Sequence, residues 1–252
     1  MMNLILEKLK NGLIVSCQAS PGWPLYGSEN MQKMAVAAEV GGAAGIRACW
    51  PSDIKAVKEV CNLPLIGVNK IYKNIPPTAA DITITPTYEA AVAIIEAGCD
   101  IVGIDCTIRG RSYQDLAEII AALKKNYPHI PIMGDLSTLE EGLMAAELGV
   151  DILSTTLSGY TNTSLGISEE EARNLSSYPE GQEPPPDFEL IRQLRQKTDK
   201  LINAEGRFWE IADVKEAFRC GTDMITIGSA ITAPQLITKR FAYAIKEEQG
   251  KS

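Results

Sequence analysis

A chain of 252 residues, 45% hydrophobic and 22% charged, can bury a large core and falls within the span of a single α/β barrel domain. Its formal net charge of -8 argues against broad binding to nucleic acid or to an anionic membrane, so any affinity for phosphate has to come from a local site. No basic run offers a groove for a polyanion, and no apolar run approaches the ~20 residues needed to span a bilayer.

The opening segment "MMNLILEKLKNG" carries Glu7, Lys8 and Lys10 where a secretory signal needs an unbroken apolar stretch. The six cysteines, Cys17, Cys49, Cys61, Cys99, Cys106 and Cys220, contain no C-x-x-C pair. Both features predict a reduced, cytoplasmic protein. Cys17, Cys49 and Cys106 fall near predicted strand ends and could form a thiol or metal site. Burial as small hydrophobes is the reading adopted, and no metal is expected.

Along the chain, short apolar runs recur: "GLIVSCQ", "AGIRAC", "PLIGVNK", "DIVGIDCT", "PIMGDLS", "DILSTTL", "LINAEG" and "DMITIGSA". Between them lie segments of helical periodicity such as "SENMQKMAVAAEVGG", "PSDIKAVKEVC", "TYEAAVAIIEAGC", "STLEEGLMAAELG" and "IADVKEAFRCG", several closing on the glycine expected after a helix C-terminus. Eight near-continuous apolar strands in strict βα alternation predict a single-domain (β/α)8 TIM barrel over residues 1–252. "DITITPT", residues 81–87, also reads as extended, and is taken as an extra short segment leading into a helix near Tyr88. An open doubly wound sheet would need a G-x-G-x-x-G loop after an early strand, and the chain has none. Residues 161–187, "TNTSLGISEEEARNLSSYPEGQEPPPD", are polar, acidic and proline-rich. They follow the sixth strand, on the face where barrel active sites lie, either as a tolerated surface insertion or as a lid.

The strand ends hold the chemistry. In order they present Gln18, Arg47, Lys70, Asp105, Asp135, Thr155 with Thr156, Glu205, and Gly228 with Ser229. An amide, two cations, three carboxylates and several hydroxyls around one mouth would be costly to bury without a ligand or mutual pairing, which predicts a polar small-molecule site. The lone histidine, His129 in "NYPHIP", precedes the fifth strand and so belongs to the opposite face. Proton transfer then falls to Lys70, Glu205 or an aspartate. Bringing the lysine from ~10.4 to near 7 takes roughly 4 to 5 kcal/mol of differential interaction, with burial and the neighbouring Arg47 as expected sources. The alternative for Lys70 and Glu205 is a structural ion pair across the mouth. Gly206 and the Gly228–Ser229 turn follow the last two strands, where backbone N–H groups commonly cradle phosphate.

"VSCQASPGWPLY", "AGIRACWPSDI", "PLIGVNKIY", "ITPT", "IDCT", "MGDLST", "STTLSGYT", "NAEGR" and "GSAITAPQLITKRF" resemble the N-acetylmannosamine-6-phosphate 2-epimerase family, in order, from about Gly12 to Phe241. The resemblance implies a metal-independent, cofactor-free inversion at carbon 2 of a phosphorylated N-acetylhexosamine, through the open-chain aldose and an enolate. It implies that Lys70 is the acid/base residue and that Glu205 helps open the ring and stabilises the enolate oxygen. Gln18, Arg47 and Asp135 match positions that hold the sugar and its acetamido group, with Asp105 a further substrate-binding candidate. Gly206, Arg207, Gly228 and Ser229 are the phosphate-binding candidates, and a homodimer is the expected assembly. The chain departs from the family at two places. Ala233 stands in "ITAP" where the family commonly has "ITRP" with an arginine on the phosphate, and the 161–187 segment is larger than the family pattern. A class I aldolase with a Schiff-base lysine and a catalytically silent sugar-phosphate-binding barrel are the rival readings. The intact Lys70 and Glu205 argue for turnover.

Overall fold

Eight short strands that are apolar on both faces need cover on both, and a closed parallel barrel inside a ring of helices supplies it. The computed structural model describes residues 3–73, 76–175 and 183–250. In chain order it runs α1 (Leu4–Leu9), β1 (Leu13–Cys17), α2 (Ser28–Val40), β2 (Gly45–Cys49), α3 (Pro51–Val60), β3 (Leu65–Val68), α4 (Tyr88–Glu96) and β4 (Ile101–Asp105). It continues through α5 (Tyr113–Asn126), β5 (Ile132–Asp135), α6 (Leu139–Glu147), β6 (Ile152–Ser154), α7 (Asn162–Leu165), α8 (Glu169–Ala172), α9 (Phe188–Lys197) and β7 (Leu201–Glu205). The chain closes with α10 (Ile211–Arg219), β8 (Met224–Ile227), α11 (Ser229–Thr232) and α12 (Pro234–Gly250). The strands pair in sequence order, all parallel, and β8 closes on β1. Each lies within its predicted run. "DITITPT" adds no barrel strand, since Ile84 makes only an isolated antiparallel bridge to Lys70.

Local chemistry starts the helices where the chain supplies caps. Thr87 accepts from the Ala90 N–H to open α4. Ser112 with Asp115, and Thr138 with Glu141, form capping boxes at α5 and α6. Asp187 caps α9 through the Leu190 N–H, 2.9 Å away.

The core has two layers. One packs the outer strand faces against helices, with Ile54, Val57, Ile94, Leu116, Ile120, Ile191 and Leu194 fully or almost fully buried. The other fills the lower barrel with Ile14, Ile66, Ile101, Met133, Ile152 and Met224, closed from below by Leu6 and Leu9 of α1. Gly45 makes room for this closure, because a β-carbon there would lie 2.5 Å from Cδ2 of Leu9. Burying a leucine side chain of this kind contributes about 1.5–3 kcal/mol. The opening segment, read from its charges alone, thus forms a floor for the barrel.

The 161–187 segment holds α7 and α8, and its residues 176–182 lie outside the described set. Its described ends are attached to the barrel: Thr161 Oγ1 donates to Ser137 Oγ at 2.9 Å, and the Ala79 N–H donates to the Leu175 carbonyl at 2.9 Å. α12 is exposed along most of its length, with Phe241 70% and Ile245 60% accessible. Among the described residues no helix is long and apolar enough to cross a membrane.

Candidate active site

Lys70 stands just past β3 on a backbone held from several sides. Asn69 and Thr85 exchange two hydrogen bonds of 2.9 Å, one to the Thr85 hydroxyl and one from the Thr85 N–H. The Ile71 N–H donates to the Thr83 carbonyl at 2.9 Å, and Trp50 Nε1 donates to the carbonyl of Lys70 itself at 2.9 Å. Trp50 holds a left-handed φ of 68° at the start of α3 and packs edge-on against Tyr26 and Tyr72. These contacts fix where the lysine starts. Its half-buried side chain lines the cavity at the barrel mouth, and among the described residues no carboxylate forms an ion pair with its ammonium.

Beneath the cavity lies a buried charged cluster. Arg47, 1% exposed, donates from one terminal nitrogen to Asp135 Oδ2 at 2.6 Å and from the other to Glu205 Oε2 and to Thr156 Oγ1, the last at 3.2 Å. Thr156 in turn donates to Asp135 Oδ1. Burial by itself would lower the Arg47 pKa, but Asp135 and Glu205 more than offset it and hold the guanidinium charged. Burial raises the Asp135 carboxyl to about 6 against the pull of Arg47, and the Glu205 charge adds to the rise. The structure therefore pairs Glu205 with Arg47 and leaves Lys70 apart, in place of the alternative ion pair across the mouth. Arg47 neutralises carboxylates, so it is not a bare cation set beside the lysine.

Of the other expected residues, Gln18, Glu205, Gly206, Arg207, Gly228 and Ser229 line the same cavity, whereas Arg47, Asp105 and Asp135 do not. Asp105 is fully buried and already satisfied: Oδ1 accepts from the Thr107 N–H at 2.9 Å and hydroxyl at 2.6 Å, and Oδ2 accepts from Arg109 at 2.9 Å. The position of a carboxylate at a strand end is readable from sequence, but the arginine four residues on that absorbs it is not. Cys17, Cys49 and Cys106 are all buried, and burial pushes the Cys17 thiol up to about 12 and the Cys49 thiol to about 11. Such thiols stay protonated and inert. Among the described residues no group of three or more His, Cys, Asp or Glu side chains could hold a metal ion.

The cavity encloses about 290 Å³ and is rich in small polar side chains: Ser16, Ser20, Thr226, Ser229 and Thr232, with Gly206 and Gly228 at two adjacent strand ends. Gly206 has a φ of 108°, which a side chain would resist. Arg207 sits at the rim, its Nε donating to the Pro185 carbonyl at 3.1 Å, a second nitrogen donating to the Ser158 carbonyl, and its guanidinium 5.2 Å from the centre of the Tyr160 ring. Ala233 lines the cavity with 2% exposure. Sequence reasoning missed one part of the wall. Glu183 there accepts from the Tyr160 hydroxyl and from Trp209 Nε1, each at 3.1 Å. Burial raises the Tyr160 pKa and keeps that phenol a donor. Gln18 donates to Ser16 Oγ at 2.9 Å, and its buried Oε1 accepts no hydrogen bond among the described residues.

A family model described as "Putative N-acetylmannosamine-6-phosphate epimerase" (NanE) matches residues 31–247. A protein of Caldanaerobacter subterraneus subsp. tengcongensis named "Putative N-acetylmannosamine-6-phosphate 2-epimerase" is 43% identical, over 97% of this chain and 95% of its own. A Listeria welshimeri protein of the same name is 39% identical over the whole of both chains. The solved structure of the N-acetylmannosamine-6-phosphate 2-epimerase from Clostridium perfringens is 36% identical, with a TM-score of 0.82 and 97% of each chain covered. QR15, an aldolase, shares 14% identity at a TM-score of 0.62, a likeness of fold alone.

Proposed function

Because the chain belongs to the N-acetylmannosamine-6-phosphate 2-epimerase family, and so interconverts N-acetylmannosamine 6-phosphate and N-acetylglucosamine 6-phosphate, we propose that Lys70 and Glu205 divide the proton transfers between them. The Glu205 carboxylate accepts the anomeric hydroxyl proton as the C1–O5 bond opens. The bond's electron pair goes to O5, which takes a proton from water. The aldehyde so formed acidifies the hydrogen at carbon 2. Lys70, as the neutral amine, removes that hydrogen, and the electron pair moves onto O1 as an enolate. The newly protonated Glu205 donates a hydrogen bond to that oxygen, a contact that strengthens as charge develops. Return of a proton to the opposite face gives the epimer.

The observation that supports this division most strongly is a contrast within one cavity: Glu205 is neutralised by Arg47, while Lys70 has no carboxylate partner among the described residues. Arg47 and Asp135 then serve the reaction through Glu205, and Asp105 secures the loop after β4 through Arg109. The open acceptor of Gln18 suits the acetamido N–H. The phosphate takes the backbone donors at Gly206, Gly228 and Ser229, with Arg207 adding charge from the rim. Glu183 places its own part of the 161–187 segment, just past the residues outside the described set, on the wall of the site. A cytoplasmic location fits a sugar-phosphate substrate, and the exposed Phe241, Ile245 and Ile211 offer apolar surface for a second copy in a homodimer.

Epimerisation in D₂O, followed by proton NMR, tests the mechanism. Deuterium should enter carbon 2 of the product, incompletely if the three exchangeable hydrogens of a lysine ammonium carry it both ways. Product with no deuterium at carbon 2, or a covalent adduct trapped by borohydride, would count against it.

A further inference from the structure

Behind Glu205, four neutral side chains from three strands and the turn after β6 form a hydrogen-bonded chain. Thr226 Oγ1 on β8 donates to Asn203 Oδ1 on β7 at 2.9 Å. Asn203 Nδ2 donates to Ser154 Oγ on β6 at 2.7 Å and to Glu205 Oε2 at 3.3 Å. Ser154 Oγ lies 2.7 Å from Thr156 Oγ1 and 3.4 Å from Glu205 Oε2. Since Thr156 gives its own proton to Asp135, Ser154 has to be the donor in the Ser154–Thr156 contact, and every donor along the chain then points the same way. This direction fixes the Asn203 amide. Turned over, it would set its oxygen against the Glu205 carboxylate, which can only accept. Asn203 and Ser154 are fully buried and off the cavity, so no water can cheaply replace a partner lost by either.

Every hydrogen bond recorded to the Glu205 carboxylate goes to one oxygen. Arg47 and Asn203 donate to Oε2, with Ser154 Oγ 3.4 Å from the same oxygen, whereas Oε1 takes none among the described residues. We propose that Asn203 is a positioning residue for the epimerisation: its locked amide anchors Oε2 of Glu205 in the barrel interior and reserves Oε1 as the oxygen that exchanges protons with the substrate. The inference rests on the reading of Glu205 as the catalytic carboxylate. The charged groups around Glu205 are Arg47 on β2 and Asp135 on β5 within the cluster, and Lys70, Arg207 and Glu183 on the cavity wall. The face toward β6 and β8 is neutral, so Asn203 is the amide donor that holds the carboxylate in place from that side.

The test compares Asn203→Asp and Thr226→Val with wild type in the pH dependence of kcat and KM on N-acetylmannosamine 6-phosphate. An aspartate cannot donate and adds an acceptor beside Oε2, so Glu205 would hold its proton to higher pH. For Asn203→Asp the acid limb should move up by about one pH unit and kcat should fall roughly tenfold, with KM changed less than about twofold. Thr226→Val keeps the shape, frees the amide to turn, and should shift the same limb by less. Unchanged acid limbs and kcat in variants that unfold cooperatively would overturn the proposal, and if Asn203→Asp does not fold, Thr226→Val alone decides it. Glu205→Gln is the control: activity retained there would defeat the underlying catalytic assignment, and loss of activity there with unmoved Asn203 and Thr226 variants would defeat only the positioning role.

Discussion

Arg47 on β2 and Glu205 on β7 are joined by a direct guanidinium–carboxylate contact, although β1 and β8 stand between their strands. The contact is possible because the arginine crosses the top of the barrel lumen with almost no exposure. Replacing it with methionine keeps the length but leaves the Asp135 and Glu205 carboxylates close together without a cation. Arg47→Met should cost about 3–5 kcal/mol of stability, the range for an orphaned buried charge, and abolish turnover. Urea unfolding measures the first effect, and a midpoint equal to wild type would show that the cluster is hydrated or protonated instead.

Lys70→Met and Glu205→Gln should each leave the barrel folded and slow epimerisation by ~10² to 10⁴, the range that general acid/base groups contribute. The assay is proton NMR with either phosphosugar. A Lys70→Met protein that still turns over would remove the lysine from the mechanism.

Asp135 gives the stability a pH signature. Its carboxyl is raised by burial to about 6, above the ~3.9 of an unfolded aspartate. Below the unfolded value both states hold the proton and the stabilisation is complete. As pH rises toward 6 the unfolded chain gives up its proton first, and the stabilisation is lost. Asparagine cannot titrate, so the urea midpoint of wild type minus that of Asp135→Asn should decline from pH 4 to pH 6 and then level. A flat difference would mean that Asp135 titrates alike in the folded and unfolded chain, and a difference that rises from pH 4 would mean that Arg47 holds it ionised.

Ala233 faces the cavity from the turn between α11 and α12, where the resemblance in "ITAP" leads to the expectation of an arginine. Ala233→Arg should tighten phosphosugar binding by roughly tenfold, the worth of one charge-assisted contact. Calorimetry reads this directly. Weaker binding would mean that another cation already holds the phosphate, or that Glu183 captures the new guanidinium.

The barrel was legible in the sequence because each strand is a short apolar run between turn residues, and the eight runs can be counted. The ring of polar strand ends was legible for the same reason, since strand position alone sets the face. What was not legible is how side chains pair once that face closes. Asp105 and Asp135 have the same sequence signal, yet the first is absorbed by Arg109 and the second by Arg47. Asn203 lies in an apolar strand pattern and reads as a lapse until Ser154 and Thr226 are seen beside it. Glu183 belongs to a stretch without periodicity, and only its contacts with Tyr160 and Trp209 bring it to the cavity wall.

Among the described residues, the leucines of α1 close the barrel from below, at the end away from the cavity that Lys70 lines. Substrate, product and the solvent protons that refresh Lys70 then share the mouth at the C-terminal ends of the strands. While a sugar occupies that mouth, fresh hydrogens reach the lysine slowly, so a proton taken from carbon 2 has a better chance of going back to the same molecule. Internal return should therefore depend on how well the bound sugar seals the mouth: a variant that loosens the wall at Glu183 lets solvent reach the lysine while the sugar is bound and should carry more solvent deuterium per turnover than wild type.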